Sequence, residues 1–280
     1  MPLTDEETTE IEAANSTGKR PVVFVHGLWL LASSWSRWQA MFGAAGFAPI
    51  APGWPDDPAT VEEARARPEV FAGKSVKAIT DHYAEAIELL TLEPIVIGHS
   101  FGGLVTQQLA GRGLAAASVA IDPAPFRGVL PLPISALRAS FPVLADPRNR
   151  SRAVMLTEEQ FRYAFTNAVS EAEAHELYAT YPVPGSGVPL FQAAFANLNP
   201  RSETSVDSRT IDRGPMLIIS GEKDHTVPWA IANASFKRQR RNAAVTEITE
   251  MPGRGHSLVI DSGWEQVAQI ALEFVQKQSL

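Results

Sequence analysis

Residues 95–104 read I-V-I-G-H-S-F-G-G-L: a β-branched apolar run, a serine with a glycine two residues to either side, and then a stretch that continues at helical spacing. A match to G-x-S-x-G says little alone, since glycine and serine are common enough for a random chain of this length to carry one about once in ten. The setting says more. Ile95–Ile97 has the pattern of a short buried strand and runs straight into the motif, and Phe101–Ala110 leaves it as a helix, which is the strand-turn-helix arrangement of a nucleophile elbow. In such a turn the serine backbone is strained and its hydroxyl is lifted above the sheet edge. Side chains two residues away would collide with the neighbouring strand or helix, and glycine removes the collision. The hydroxyl then stands at a helix N-terminus, where free amides and the helix dipole favour a developing oxyanion.

Outward from this stretch the chain alternates between strand and helix patterns. P-V-V-F-V at 21–25 is a strand buried on both faces, and Ser33 or Ser34 caps a helix that G-A-A-G at 43–46 closes. G-F-A-P-I-A-P at 46–52 is a second strand. Val76, Ile79, Tyr83, Ile87 and Leu90 fall on one helix face, and A-S-V-A-I-D at 117–122 is another strand. After residue 212 the rhythm resumes with the strand G-P-M-L-I-I-S, a helix over 229–241, the strand A-V-T-E-I-T-E and a closing helix from Trp264. The pattern predicts an α/β fold: a doubly wound, mostly parallel sheet of about six strands, with helices on both faces.

Two segments break the rhythm. Residues 1–20 are polar and aperiodic and read as a loosely held tail. Between 123 and 212 prolines become frequent, strands vanish, and only short helical pieces appear around 157–169 and 171–181. This insertion holds nine of the chain's seventeen Phe and Tyr residues, more than packing against solvent requires. The expected organisation is a tail (1–20), a core (21–122 and 213–280) and an inserted segment (123–212).

A serine hydroxyl is a poor nucleophile without a base that is itself oriented by a carboxylate. Of six histidines, His256 in E-M-P-G-R-G-H-S-L follows the last predicted strand in a glycine-rich loop and is the best base. His99 adjoins the nucleophile and points elsewhere; His26, His82 and His175 suit bracing, surface or capping roles. G-E-K-D-H-T-V-P supplies Asp224 as the orienting acid, with Glu222 and Asp122 as alternatives, and the order Ser100, Asp224, His256 is the one this fold uses. Oxyanion donors would be the amides of Phe101 and of Leu28 in H-G-L-W, with Gly27 permitting close approach and Trp29 walling the site.

H-G-L-W, G-H-S-F-G-G, G-E-K-D-H-T-V-P and G-R-G-H-S, in that order over residues 21–278, resemble the oxyanion loop, nucleophile elbow, acid loop and histidine loop of the α/β-hydrolase superfamily. The resemblance extends to its capped group of small esterases and cofactor-free haloperoxidases. It implies a helical lid at 123–212 above the active site, and no cofactor. The serine separates the chain from relatives of this fold that use an aspartate nucleophile in dehalogenation or epoxide hydrolysis. The family core often begins with an antiparallel hairpin, for which the polar tail leaves no space. Trp29, Phe161, Phe165 and Phe191 are candidate pocket residues, although insertion aromatics can equally pack its helices. The expected activity is hydrolysis of small to medium apolar carboxylic esters through an acyl-enzyme on Ser100. Lactone, C–C and perhydrolytic chemistry would use the same machinery, and a ligand-binding receptor without turnover is the alternative from another class.

Composition narrows the partners. A net charge of −7 and a pI near 5.4 predict repulsion from phosphate backbones and anionic bilayers, so neither nucleic acid nor membrane is expected. The absence of cysteine excludes disulfides, thiolate metal sites and cysteine nucleophiles. No dinucleotide or P-loop motif is present, and Asp56 and Asp57 have no histidines arranged with them for a metal. The basic run K-R-Q-R-R at 237–241 reads as a solvated helix C-terminus. The acidic start lacks the features of a secretory signal, and the longest apolar run, Val22 to Ala32, is too short for a bilayer, so a cytoplasmic location is expected.

Overall fold

The protein is described by a computed structural model covering residues 2–278. A helix, α1 (Asp5–Ser16), precedes the first strand, β1 (Pro21–Val25). The chain continues through α2 (Ser36–Ala44), β2 (Ala48–Ile50), α3 (Val61–Ala66), α4 (Val76–Glu88), β3 (Ile95–His99), α5 (Phe101–Gly111) and β4 (Ala117–Ile121). The segment that follows holds α6 (Ile134–Leu144), β5 (Ala153–Val154), α7 (Glu158–Ala164), α8 (Glu171–Thr180), β6 (Gly185–Ser186) and α9 (Val188–Ala194), with β5 and β6 paired as a two-residue antiparallel ribbon. The last part returns to the sheet with β7 (Met216–Gly221), α10 (Trp229–Gln239), β8 (Thr246–Met251) and α11 (Trp264–Lys277).

Six strands form one sheet in the order β2-β1-β3-β4-β7-β8, and every pairing in it is parallel. Strands β1 and β3 are buried along their whole length, as continuous β-branched runs covered by helices on both faces should be. Each fully buried Val or Ile there contributes roughly 1.5–3 kcal/mol by removal from water. The chain winds from β1 outward to β2, then crosses back to β3 and proceeds the other way. The β1/β3 boundary is therefore the switch point, and loops leaving the two strands diverge to open a crevice at their C-terminal ends.

Two expectations need correction. Residues 2–20 are not a loose tail: Thr4 and Glu7 form a capping box, and Ile11 and Ala14 are buried. The helix lacks a strong apolar stripe because a polar pair docks it, with Glu7 Oε1 at 2.9 Å from His82 Nε2 on α4. In the 123–212 segment, α6 and α9 are present besides the two expected helical pieces, and the first of those pieces stops at Ala164. No helix among the described residues is long and apolar enough to cross a membrane.

Candidate active site

Ser100 sits between β3 and α5 with φ 56° and ψ −119°, a left-handed conformation that a non-glycine residue adopts only when its surroundings force it. The forcing groups are visible. A Cβ on Gly98 would lie 2.2 Å from the Gly102 carbonyl oxygen, and one on Gly102 would lie 2.1 Å from that of Val25. Glycines at both positions let α5 pack directly on β1 and β3. The Ser100 amide donates to the Ile121 carbonyl at 2.9 Å, and the Ser100 carbonyl accepts from Ala124 at 2.9 Å, so the exit of β4 clamps the turn. The side chain does not cap the helix; it lines a cavity of about 460 Å³.

His256 and Asp224 meet at the same end of the sheet. Nδ1 of His256 donates to Asp224 Oδ2 at 2.6 Å, and Asp224 Oδ1 accepts from the amides of Thr226 and Val227 at 2.6 and 2.8 Å. With the proton placed on Nδ1, Nε2 carries the lone pair, and it is buried with no hydrogen-bond partner. No hydrogen bond joins Nε2 to the Ser100 hydroxyl in this conformation. Serine sites without ligand commonly hold that contact long and tighten it with substrate.

Three further groups hold the imidazole. His99 does not point away from the site: its Nε2 donates to the His256 carbonyl at 2.8 Å, and the two rings are 4.7 Å apart. Burial, reinforced by the neighbouring His256 imidazole, pushes His99 well below the usual histidine range, so it braces as a neutral ring. Phe165 presses edgewise on His256 with centroids 4.8 Å apart. Asp122, at the end of β4 with φ 42°, accepts from the Gly221 amide through Oδ1 at 2.8 Å, while Oδ2 is unpaired and 3.9 Å from His256 Nδ1.

Donor atoms of His99, Asp122 and His256 fall within 4.8 Å of one another. Each imidazole already spends one nitrogen on a hydrogen bond, and burial, with the Asp224 carboxylate next in effect, pushes Asp122 well above the usual carboxylate range. A neutral acid and two committed imidazoles suit hydrogen-bond chemistry better than a cation.

Asp122 has a measurable consequence for stability. Because its folded-state pKa is raised, folding takes up a proton at any pH between the ordinary carboxylate value and the folded one. The resulting destabilisation is absent below that window, and it grows by about 1.4 kcal/mol per pH unit as pH rises through it. Asp122→Asn keeps the acceptor for Gly221 and tolerates positive φ. It should match the wild type in urea unfolding near pH 4 and exceed it increasingly toward neutrality; equal stabilities at every pH would contradict this.

The amides of Leu28 and Phe101 donate to no backbone carbonyl among the described residues, which leaves them free for a ligand oxygen. His26 braces the loop that carries Leu28: its Nε2 accepts from the Trp54 amide at 3.2 Å and lies 3.1 Å from Asp57, which also pairs with buried Lys74 at 2.6 Å. Trp29, at φ 68°, is fixed by an Nε1 hydrogen bond to the Val154 carbonyl at 2.9 Å and lines the cavity. Phe161, Phe165 and Phe191 do not line it. The first two stack at 4.7 Å and are buried, and Phe191 packs half-buried against the core. The walls are aliphatic instead, with Val129, Ala139, Leu190, Val227 and Ile231 among them. Pro131, Leu132, Ala136 and Leu137 line it as well, and they belong to the one readable signal, P-L-P-I-S-A-L at 131–137, an apolar run in a segment otherwise read as irregular.

A family model described as the alpha/beta hydrolase family matches residues 22–270. No curated protein sequence matches the chain. Among solved structures, a monoacylglycerol lipase of Paleococcus ferrophilus is similar with a TM-score of 0.64 at 19% identity, over 92% of this chain and 94% of that one. An extracellular alpha/beta-hydrolase from a Paenibacillus species is similar with a TM-score of 0.64 at 19% identity, over 91% and 98%. A methylesterase from Arabidopsis gives 0.63 at 14% identity, over 92% and 99%. At such identities the likeness is one of fold.

Proposed function

The chain belongs to the alpha/beta hydrolase family, and from that premise we propose that it is a serine hydrolase of small to medium apolar carboxylic esters. The observation that carries this reading is the His256–Asp224 pair, whose geometry leaves Nε2 as a free base while the strained Ser100 faces an aliphatic cavity. Residues 123–212 act as its lid.

In the proposed reaction Nε2 takes the Ser100 proton as Oγ bonds to the ester carbonyl carbon. The Leu28 and Phe101 amides hold the resulting oxyanion. Collapse breaks the ester C–O bond, and His256 returns its proton to the departing alkoxide, which leaves as the alcohol. Water then gives a proton to His256 and attacks the acyl-enzyme, releasing the acid and restoring the Ser100 hydroxyl. Asp224 fixes the ring tautomer and offsets the imidazolium charge in both steps. The Oδ1 bonds from Thr226 and Val227 keep that carboxylate from rotating away.

An apolar wall favours acyl chains over charged substrates, because a charge taken into the cavity would lose hydration without a partner. Incubation with p-nitrophenyl acetate and butyrate is expected to give many turnovers, with kcat in the ordinary range of about 1–10³ s⁻¹ and butyrate preferred in kcat/KM. Release of one equivalent or none would support a non-turnover receptor instead.

A further inference from the structure

The mouth of the cavity is mostly apolar, with Asn197 and Ser140 its polar members. Leu130, Leu132, Leu137 and Leu198 line the cavity and are also exposed, Leu130 by 72%. Helix α6 carries the apolar surface further outward. Its Ala139 and Val143 turn into the protein, whereas Ile134, Leu137 and Phe141, at spacings of three and four, hold a second apolar stripe to solvent, with Ile134 84% exposed. A surface helix normally turns a polar face to water; this one is apolar on both. Of the eleven exposed large hydrophobic residues among those described, seven lie between positions 130 and 198. Scattered exposed leucines are ordinary, but a concentration around a cavity mouth marks an interaction surface.

The charges of α6 and the chain that flanks it differ from those of the whole molecule. Residues 123–156 contain five arginines and one aspartate, a local +4 in a protein of net −7. The basic cluster at 237–241 contributes as well: the Arg238 guanidinium lies against Gly128, where a Cβ would meet it at 2.6 Å. Screening in physiological salt has a length of about 8 Å, so an approaching surface responds to the charges of the face it meets more than to the net charge of the whole molecule.

We propose that the apolar mouth, with its arginines, seats on an anionic phospholipid surface. Leucines and Phe141 enter the headgroup–acyl boundary while arginines meet the phosphates. A folded partner or second copy seated on this patch would stopper the cavity that opens through it; a fluid lipid surface covers the same leucines and leaves the passage continuous with apolar chains. On the ester-hydrolase reading, apolar esters then enter from the lipid. The docking itself requires no chemistry.

The full chain would be sedimented with vesicles of equal phosphatidylcholine and phosphatidylglycerol and with vesicles of phosphatidylcholine alone. The variants are Ser100→Ala and the pair Ile134→Asp/Phe141→Asp; Ile134 and Phe141 do not line the cavity. Wild type and Ser100→Ala should bind the anionic vesicles equally. Binding should weaken by about tenfold or more in the paired variant, in high salt and on neutral vesicles, with p-nitrophenyl acetate hydrolysis by the pair within about twofold of wild type. A wild type that stays in the supernatant, or a paired variant that binds as well, overturns the proposal. So does a dimer in ultracentrifugation that the paired variant splits, without vesicle binding. Vesicle binding without ester turnover would sink the hydrolase reading and leave the docking intact.

Discussion

Ser100→Ala is expected to lower kcat toward p-nitrophenyl butyrate by about a million-fold, with KM changed only a few-fold. Alanine retains the Cβ that the elbow already accommodates, so neither Gly98 nor Gly102 meets a new clash, and the melting temperature should stay close to that of the wild type. The loss is therefore chemical: the cavity and the two amides remain, the imidazole remains oriented, and only the oxygen that bonds to carbon is gone. Residual rate above water, roughly 10³-fold, should persist because amides and binding still stabilise the tetrahedral species. A quenched reaction of the wild type should show the acyl mass on the peptide carrying Ser100, and the variant should show none. A variant that turns over esters at more than about a hundredth of the wild-type rate would place the nucleophile elsewhere.

How far the molecule could be read from its sequence depends on the range of the forces involved. The elbow is legible because its cause is local: the clashes that demand Gly98 and Gly102 come from the turn's own neighbours. Asp224 and His256 are legible because each lies in the loop after a strand whose place in a parallel sheet follows from the alternation, which brings side chains 32 residues apart to 2.6 Å. Helix α1 is not legible as a docked element, since its seat is a hydrogen bond between Glu7 and His82, a residue 75 positions away. The insertion is the least legible part. Nothing in its composition says that Phe161 and Phe165 stack inward, with Phe165 touching His256, while leucines and alanines around α6 form the wall. Aromatic content signals burial and leaves the choice of face to tertiary contacts. His99 misleads for a related reason: sequence adjacency to Ser100 says nothing of a carbonyl 157 residues on, to which its ring donates.

Asp122 gives the second large effect its particular form. In an ordinary triad, replacing the acid by its amide leaves the imidazole in the wrong tautomer and costs about 10⁴-fold in kcat. Here Asp224→Asn removes the carboxylate that helps hold Asp122 neutral, and Asp122 Oδ2 stands unpaired at 3.9 Å from His256 Nδ1. A movement of about 1 Å brings that oxygen to hydrogen-bond distance of Nδ1. The single variant should therefore lose only about 10²- to 10³-fold, and its activity should rise with pH as Asp122 ionises, since only the charged carboxylate supports the correct tautomer and offsets the imidazolium. Asp122→Asn alone should change kcat by no more than a few-fold, because Asp224 keeps both its amide bonds and its imidazole. Combining the two, Asp122→Asn/Asp224→Asn, should restore the full loss of about 10⁴-fold and flatten the pH dependence. Steady-state kcat measured across pH for the three variants decides it. A double variant no slower than Asp224→Asn would mean that Asp122 never accepts the Nδ1 proton and serves the site only through its bond to Gly221.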